Sequence, residues 1–321
     1  MYMSKVAIIT GITGQDGAYL AQLLHGKGYR VIGLIRSYSH INFKGLEYLK
    51  LKDKVELLEC DLADLSQVMS IIKEYNPNEI YNLAAQSSVS LSFRQPIGTI
   101  QFNILSVLNL LEAIRMLNPE CRFYQASSSE VFGEAKLPIK ETSGINPISP
   151  YSISKASAHW ITKNYRDSYG LFSCSGFLFN HESYLRSDNF FIKKVILQAI
   201  KIKNGEAETL EVGNIDIKRD FGWAPKYVEA MYLMLQQPHA DDYLICSNHS
   251  VSLRSIIEYV FNYLNISLDR LVINEKYFRP TEIIDIYGDN TKAKAKLGWE
   301  YEMSFYDVLT ILINEEIENG K

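Results

Sequence analysis

Four side chains in two short stretches have the types and spacing for proton chemistry. Tyr151-Ser152-Ile153-Ser154-Lys155 sets a phenol and an ammonium four residues apart. On a helix that spacing puts both on one face. A free phenol, with a pKa of about 10, is a poor base at neutral pH. A neighbouring ammonium and a cationic ring would favour the phenolate and make it usable. Upstream, Phe123-Tyr124-Gln125-Ala126-Ser127-Ser128-Ser129-Glu130 ends a strand-like run in three hydroxyls and a carboxylate. Ser128 can hydrogen-bond the hydroxyl that Tyr151 attacks. Oxidation of an alcohol needs only serine, tyrosine and lysine. Glu130 is the second acid/base group that proton removal beside a ketone and loss of water require. A plainer role for Glu130 is a cap on a turn.

A second constellation opens the chain. Gly11, Gly14 and Gly17 follow a strand-like run and precede a helical one. Glycines there allow a tight turn and close approach of a pyrophosphate, whose charge meets the helix N-terminus. Their G-x-x-G-x-x-G spacing resembles the short-chain dehydrogenase/reductase superfamily. The second strand-like run ends in Arg36 and Ser37 with no carboxylate. That favours NADP over NAD, because an acid there would repel a 2′-phosphate. Asp61, after the third run, is placed for the adenine edge. Ala84 and Ala85, after the fourth, are small enough for a cofactor to lie close.

These residues need a scaffold. Lys5–Thr10, Arg30–Ile35, Val55–Cys60, Glu79–Leu83, Arg122–Gln125 and Ser173–Leu178 are short, apolar and rich in β-favouring residues. Helical spacing separates them at Ala18–His25, Leu65–Tyr75, Thr99–Met116 and Pro150–Tyr169. Repeated β-α-β units imply an α/β fold: a Rossmann-type, doubly wound parallel sheet covered on both faces. The rhythm breaks after about residue 180. A smaller C-terminal substrate-binding α/β cap is expected, with residues 1–172 as the dinucleotide-binding domain and 173–321 mainly the substrate-binding domain. Later segments return to the first domain.

The 321 residues are 47 % hydrophobic, with a net charge of −4 and no basic stretch, so no nucleic-acid footprint is visible. Cys60, Cys121, Cys174 and Cys246 lie far apart, which removes the spacing support for a metal or a redox motif. No apolar run approaches bilayer length, and Met1 to Lys5 leads straight into a strand rather than a leader. A cytoplasmic protein without membrane contact is expected.

Longer motifs carry a more specific resemblance. Gly11-Ile12-Thr13-Gly14-Gln15-Asp16-Gly17, Tyr81-Asn82-Leu83-Ala84-Ala85-Gln86-Ser87, the Ser-Ser-Ser-Glu stretch, Leu178-Phe179-Asn180-His181-Glu182-Ser183, Gly213–Asp220 and Phe278–Glu282 are similar to the GDP-mannose 4,6-dehydratase family. The resemblance runs over nearly the whole chain. It implies that Tyr151 takes the C4 hydroxyl proton while hydride goes to NADP. Ser128, in the place of a usual threonine, bridges Tyr151 and the sugar O4. Lys155 holds the nicotinamide ribose. Glu130 takes the C5 proton and assists loss of the C6 hydroxyl, and hydride then returns to C6. The cofactor stays bound and is recycled. The implied cofactor set adds Thr13, Gln15, Asp16, Leu62 and Leu83 to the residues above. Ser87, Ser88, Asn180, Lys194, Arg219, Arg279 and Glu282 would hold the GDP-linked sugar. A structural role is expected for His181. A homodimer or homotetramer is implied, the tetramer less firmly because only Arg36 stands where a double arginine is usual.

Tyr184-Leu185-Arg186-Ser187 departs from the family's Pro-Arg-Arg-Gly. It is expected near the sugar and diphosphate, which keeps a GDP-heptose dehydratase open. A GDP-sugar 4-dehydrogenase or 4-reductase would share most of these motifs, as would a nucleotide-binding protein without activity. Glu130 argues against the reductase and dehydrogenase, since neither needs it.

Overall fold

The computed structural model describes residues 4–40 and 42–319. Residues 1–3, part of the stretch read as lacking a leader, lie outside them. Strands β1 (Val6–Thr10), β2 (Arg30–Ile35), β3 (Glu56–Glu59), β4 (Glu79–Asn82), β5 (Arg122–Ser128) and β6 (Ser173–Leu178) come first. They alternate with helices α1 (Gln15–Gly26), α2 (Lys44–Tyr48), α3 (Leu65–Tyr75), α4 (Val89–Arg94), α5 (Pro96–Leu117) and α6 (Pro150–Tyr169). Then follow β7 (Asn180–Glu182), α7 (Phe191–Lys203), β8 (Leu210–Val212), β9 (Lys218–Trp223) and α8 (Ala224–Leu235). The chain closes with β10 (Tyr243–Ile245), β11 (Ser250–Ser252), α9 (Leu253–Leu264), β12 (Leu271–Ile273), α10 (Thr291–Leu297) and α11 (Phe305–Asn319).

The large sheet has the order β10-β6-β5-β4-β1-β2-β3, and every pair in it is parallel. Its strands are apolar because both faces are covered. On one face Leu20, Leu24, Val228 and Met231 from α1 and α8 pack against Ile9 and Tyr124. On the other, Val68, Leu111, Ile114 and Ala158 from α3, α5 and α6 pack against Ile8, Ile80 and Phe123. Strand order reverses between β1 and β4, and a crevice opens there at the carboxyl ends.

Two small sheets form the other layer. In one, β9 pairs antiparallel with β11 and parallel with β7. In the other, β8 and β12 are parallel. They share a core with α7, α9 and α11 through Ile192, Ile196, Phe221, Ile256, Phe261 and Leu309. β10 returns to the large sheet from beyond this layer.

Three expectations change. β5 runs three residues past Gln125, because pairing with β6 continues through Ser127↔Phe177 and Ser128↔Leu178. Serine is not among the β-favouring residues, yet that ladder and burial hold Ser127 and Ser128 in the strand. α1 begins at Gln15, not Ala18, so the last glycine of the loop is already helical. Finally, α5 is by length and composition apolar enough to span a bilayer, with a mean hydropathy of 1.4. Half of that window is buried, and Thr99, Asn103, Ser106 and Asn109 are among its buried residues.

Gly17 lies where α1 crosses the loop. A Cβ there would stand 2.3 Å from the Gly11 carbonyl oxygen and 2.6 Å from Ile12 Cα. Both obstacles are backbone. Gly17→Ala is expected to lower folding stability by about 1–3 kcal/mol, the usual penalty of overpacking, and thermal melting checks it.

Candidate active site

The Thr10 hydroxyl organises the crevice. It donates to Asn82 Oδ1 at 2.6 Å and accepts from the amides of Leu83 and Ala84 at 3.1 and 3.0 Å. The ends of β1 and β4 are thereby joined, and Leu83 and Ala85 face a cleft of about 260 Å³. Gly11 turns the chain at φ +69°, and a Cβ on it would meet the Ala84 amide nitrogen at 3.0 Å. Gly14 is the N-cap of α1, and no side chain caps that helix. Its first amides are therefore open to an anion. A narrow glycine turn ending in an uncapped helix fits a dinucleotide's pyrophosphate.

Past Ala85 the chain is braced by Gln86. Its amide group donates to Ser88 O and Thr99 Oγ1, and its backbone N–H donates to Asn103 Oδ1. Asn103 in turn donates to Ser154 Oγ on α6. Ser87 and Ser88 line the cleft as a result, opposite the residues that α6 delivers.

Ser149 caps α6 in a reciprocal pair with Ser152, and Pro150 takes the first turn. The helix brings Tyr151 and Lys155 beside Ser128 and Glu130 at the end of β5, and all four line the cleft. Lys155 Nζ donates to the Ala126 carbonyl at 2.8 Å and lies 5.9 Å from the centre of the Tyr151 ring. Burial pushes Lys155 down to about 8 and Tyr151 up to about 12. The Ser128 hydroxyl pulls Tyr151 back by hydrogen bonding, while the Glu130 charge adds to the rise. The expected net lowering of Tyr151 is thus reversed by burial. Glu130 is not a turn cap: its backbone amide is capped by Ser128, and its carboxyl faces the cleft.

The outer wall comes from the smaller layer. Asn180 on β7, Arg219 on β9 and Arg279 all line the cleft. Arg219 is buried and donates to the carbonyls of Lys218 and Ile283. Glu282 lies outside the lining, 4.0 Å behind the Arg279 guanidinium. Lys194 is also outside; its ammonium donates to the Glu211 carbonyl and sits over the Tyr277 ring. Leu62 points into the core, so only its backbone could meet a cofactor. Asp61 is exposed at the end of β3. Arg36 is exposed past β2, with no carboxylate within 4 Å among the described residues.

Tyr184 and Leu185 are not where the sequence pattern puts them. Tyr184 is buried against Tyr48, ring centres 4.8 Å apart, and Leu185 packs against Gly45. Neither lines the cleft, because the apolar pair is drawn into the core between α2 and α7. Arg186 does line it, stacked on Phe190 at 3.7 Å. Glu182 lines it as well, with Oε2 3.4 Å from Arg186 Nε. Sequence reasoning gives neither residue a role, since a loop carries no periodicity that fixes direction.

A family model described as GDP-mannose 4,6 dehydratase matches residues 8–312. "GDP-mannose 4,6 dehydratase 1" of Arabidopsis thaliana is 42 % identical, covering 99 % of this chain and 91 % of its own. The chain belongs to the GDP-mannose 4,6-dehydratase family. It is a hydro-lyase of GDP-mannose, and the heptose, reductase and dehydrogenase readings are not favoured. Among solved structures, a dTDP-glucose 4,6-dehydratase of Streptomyces venezuelae with NAD and TYD bound superposes with a TM-score of 0.87 at 20 % identity. It covers 98 % of this chain and 97 % of its own, and shows the shared fold. RMD from Pseudomonas aeruginosa complexed with NADPH superposes at 0.82 with 25 % identity, covering 97 and 98 %.

A GDP-mannose 4,6-dehydratase built this way keeps an ammonium where burial disfavours it. The folded-state pKa of Lys155 is depressed, so the unfolded chain binds its proton more tightly. The cost to stability is full below about pH 8 and fades as pH rises toward the unfolded value of about 10.5. The stability of Lys155→Met relative to wild type should therefore fall between pH 8 and 10.5, as read from paired melting curves.

Proposed function

We propose that Ser128, Glu130, Tyr151 and Lys155 carry out the dehydration of GDP-mannose in this cleft. The carrying observation is Glu130, a carboxylate that lines the same cleft as the serine, phenol and ammonium. Tyr151 takes the proton of the C4 hydroxyl, with Ser128 bridging the phenol and the sugar oxygen. A nicotinamide cofactor held by the glycine loop and Lys155 would supply the hydride acceptor for C4 and the hydride donor for C6. Lys155 holds the nicotinamide ribose and supplies positive charge near Tyr151. The C4 ketone acidifies the C5 proton, which Glu130 removes. Glu130 then protonates the departing C6 hydroxyl, which leaves as water. The proton that Tyr151 took balances the one that C5 regains. The product is the GDP-4-keto-6-deoxy sugar.

Residues 1–172, with β6 and β10, would hold the cofactor, and most of 173–321 the sugar nucleotide. Gly11, Thr13, Gly14, Gln15, Asp16 and Gly17 would receive the pyrophosphate, with Asp61 and the Leu62 backbone at the adenine and Leu83 to Ala85 along the cofactor's length. We infer a preference for NADP from Arg36, an exposed cation with no carboxylate within 4 Å among the described residues, at the position that selects for or against a 2′-phosphate. Ser87, Ser88, Asn180, Arg219 and Arg279 would hold the sugar and diphosphate, with Glu282 orienting Arg279. Four buried free cysteines fit work in the cytoplasm.

The test is incubation of the purified protein with GDP-mannose, with no cofactor added, followed by mass spectrometry. Loss of one water is expected from the wild type. Glu130→Gln should slow it by about 10²–10⁴-fold, the usual worth of an acid/base group. Substrate of unchanged mass in the wild type would overturn the reading.

A homodimer is the favoured assembly. α5 exposes Leu105, Leu108 and Met116 along one stripe, and the neighbouring α6 exposes Ile153 and Trp160. Stripes at this spacing on two adjacent helices suit a second copy of the same pair. Trp160→Glu should shift the protein toward monomer, as measured by size exclusion with light scattering.

A further inference from the structure

A row of polar side chains crosses the apolar interior of the large sheet. On the face under α3, α5 and α6, the neighbours Ile8, Ile80 and Phe123 form an apolar rung, as burial there requires. Two residues further along the same strands, on the same face, stand Thr10, Asn82 and Gln125, with Ser175 beside them on β6. Each is at most 1 % exposed. Polar groups buried this deeply are costly unless each finds a partner.

The bonds along this rung can run in one direction only. The Thr10 hydroxyl has two lone pairs and one hydrogen. The amides of Leu83 and Ala84 donate to it at 3.1 and 3.0 Å, so both lone pairs are taken. Its hydrogen must go to Asn82, and the Asn82 atom 2.6 Å away must be the oxygen. That fixes the amide, and Asn82 Nδ2 donates to Gln125 Oε1 at 2.7 Å. Gln125 is fixed in turn, with Nε2 donating to the Ala126 carbonyl at 2.9 Å. The same carbonyl accepts from Lys155 Nζ at 2.8 Å, and it is the one hydrogen-bond acceptor of Lys155 among the described residues. A carbonyl oxygen has two lone pairs. Gln125 occupies one, so Lys155 is confined to the other. The line stops there: Ser175 turns to His159 Nδ1, 3.1 Å away, and makes no bond to Gln125 among the described residues.

We propose that Gln125 is a positioning residue for the reaction: it fixes the Ala126 carbonyl and so the place of the Lys155 ammonium beside Tyr151. One directed line of hydrogen bonds then sets the lysine relative to the end of β1, where the glycine loop begins. The proposal rests on the reading above that Lys155 holds the nicotinamide ribose. It is tested on the full-length protein freed of nucleotide, by calorimetric binding of NADP and of adenosine 2′,5′-bisphosphate, which lacks that ribose. Gln125→Met should weaken NADP by about 10-fold, the scale of one displaced hydrogen bond to a charged group, and leave the bisphosphate unchanged. Turnover of GDP-mannose should fall with KM unchanged. A merely loosened sheet would weaken both ligands together. Gln125→Glu keeps the acceptor for Asn82 but, when ionised, has no donor for Ala126. It should repeat the selective loss, and it decides the matter where Gln125→Met does not fold. Ser175→Ala, in the same rung but off the line, should keep both affinities and turnover at wild-type values. Unchanged NADP affinity in the Gln125 variants, equal weakening of both ligands, or a selective loss in Ser175→Ala would each overturn the proposal. Lys155→Met is the reference. If it weakens NADP selectively and the Gln125 variants do not, the proposal fails alone. If it too has no selective effect, the reading of Lys155 fails and the proposal with it.

Discussion

Everything in the cleft is placed relative to the bond between Thr10 and Asn82 at the ends of β1 and β4. These neighbouring strands are where the sheet order reverses. Helices leave them on opposite faces, and the chain on each side would part without a tie. One hydroxyl supplies it, meeting Asn82 and two further backbone amides. Asn82 passes the connection to Gln125 of β5, 2.7 Å away. Three adjacent strand ends are thereby held by buried polar contacts, and each partner is satisfied. Such a network is costly to leave half made, which is why it holds one arrangement.

On that floor the protein gathers charges that burial disfavours. Lys155, Arg219, His181, Asp16 and Glu182 all line the cleft. Arg219 is bound by carbonyls and His181 by a carboxylate and a carbonyl, whereas Glu182 Oε2 has the Arg186 charge 3.4 Å away but no hydrogen bond among the described residues. Sites built for proton transfer keep such groups, because shifted proton affinities are what the chemistry uses. Stability is given up there and recovered in the apolar cores around the sheet and the outer layer.

Substrate identity follows the same division between core and cleft. Tyr184 and Leu185 depart from the family pattern but pack against α2 and Gly45, so their difference is absorbed by packing. Arg186, which keeps the family residue, is the one of the three that reaches the cleft. A sequence departure near a motif thus bears on specificity only if its side chain turns inward to the ligand, and here it does not.

The amino-acid sequence by itself determined the β-α-β order, the glycine turn and the shared helix face of Tyr151 and Lys155. These follow from local periodicity, from backbone freedom at Gly11 and from four-residue helical spacing, none of which needs a distant partner. Tertiary structure decided the rest. It drew Ser127 and Ser128 into β5 through pairing with β6, turned Lys194 away toward Glu211, and put Tyr184 in the core. It also raised Tyr151, contrary to what its lysine neighbour suggested, and joined Asp16 to His181 across 165 positions of chain. The reason is common to all of these: burial and ion pairing depend on which surfaces meet, and that is set by the sheet order and the packing of the outer layer.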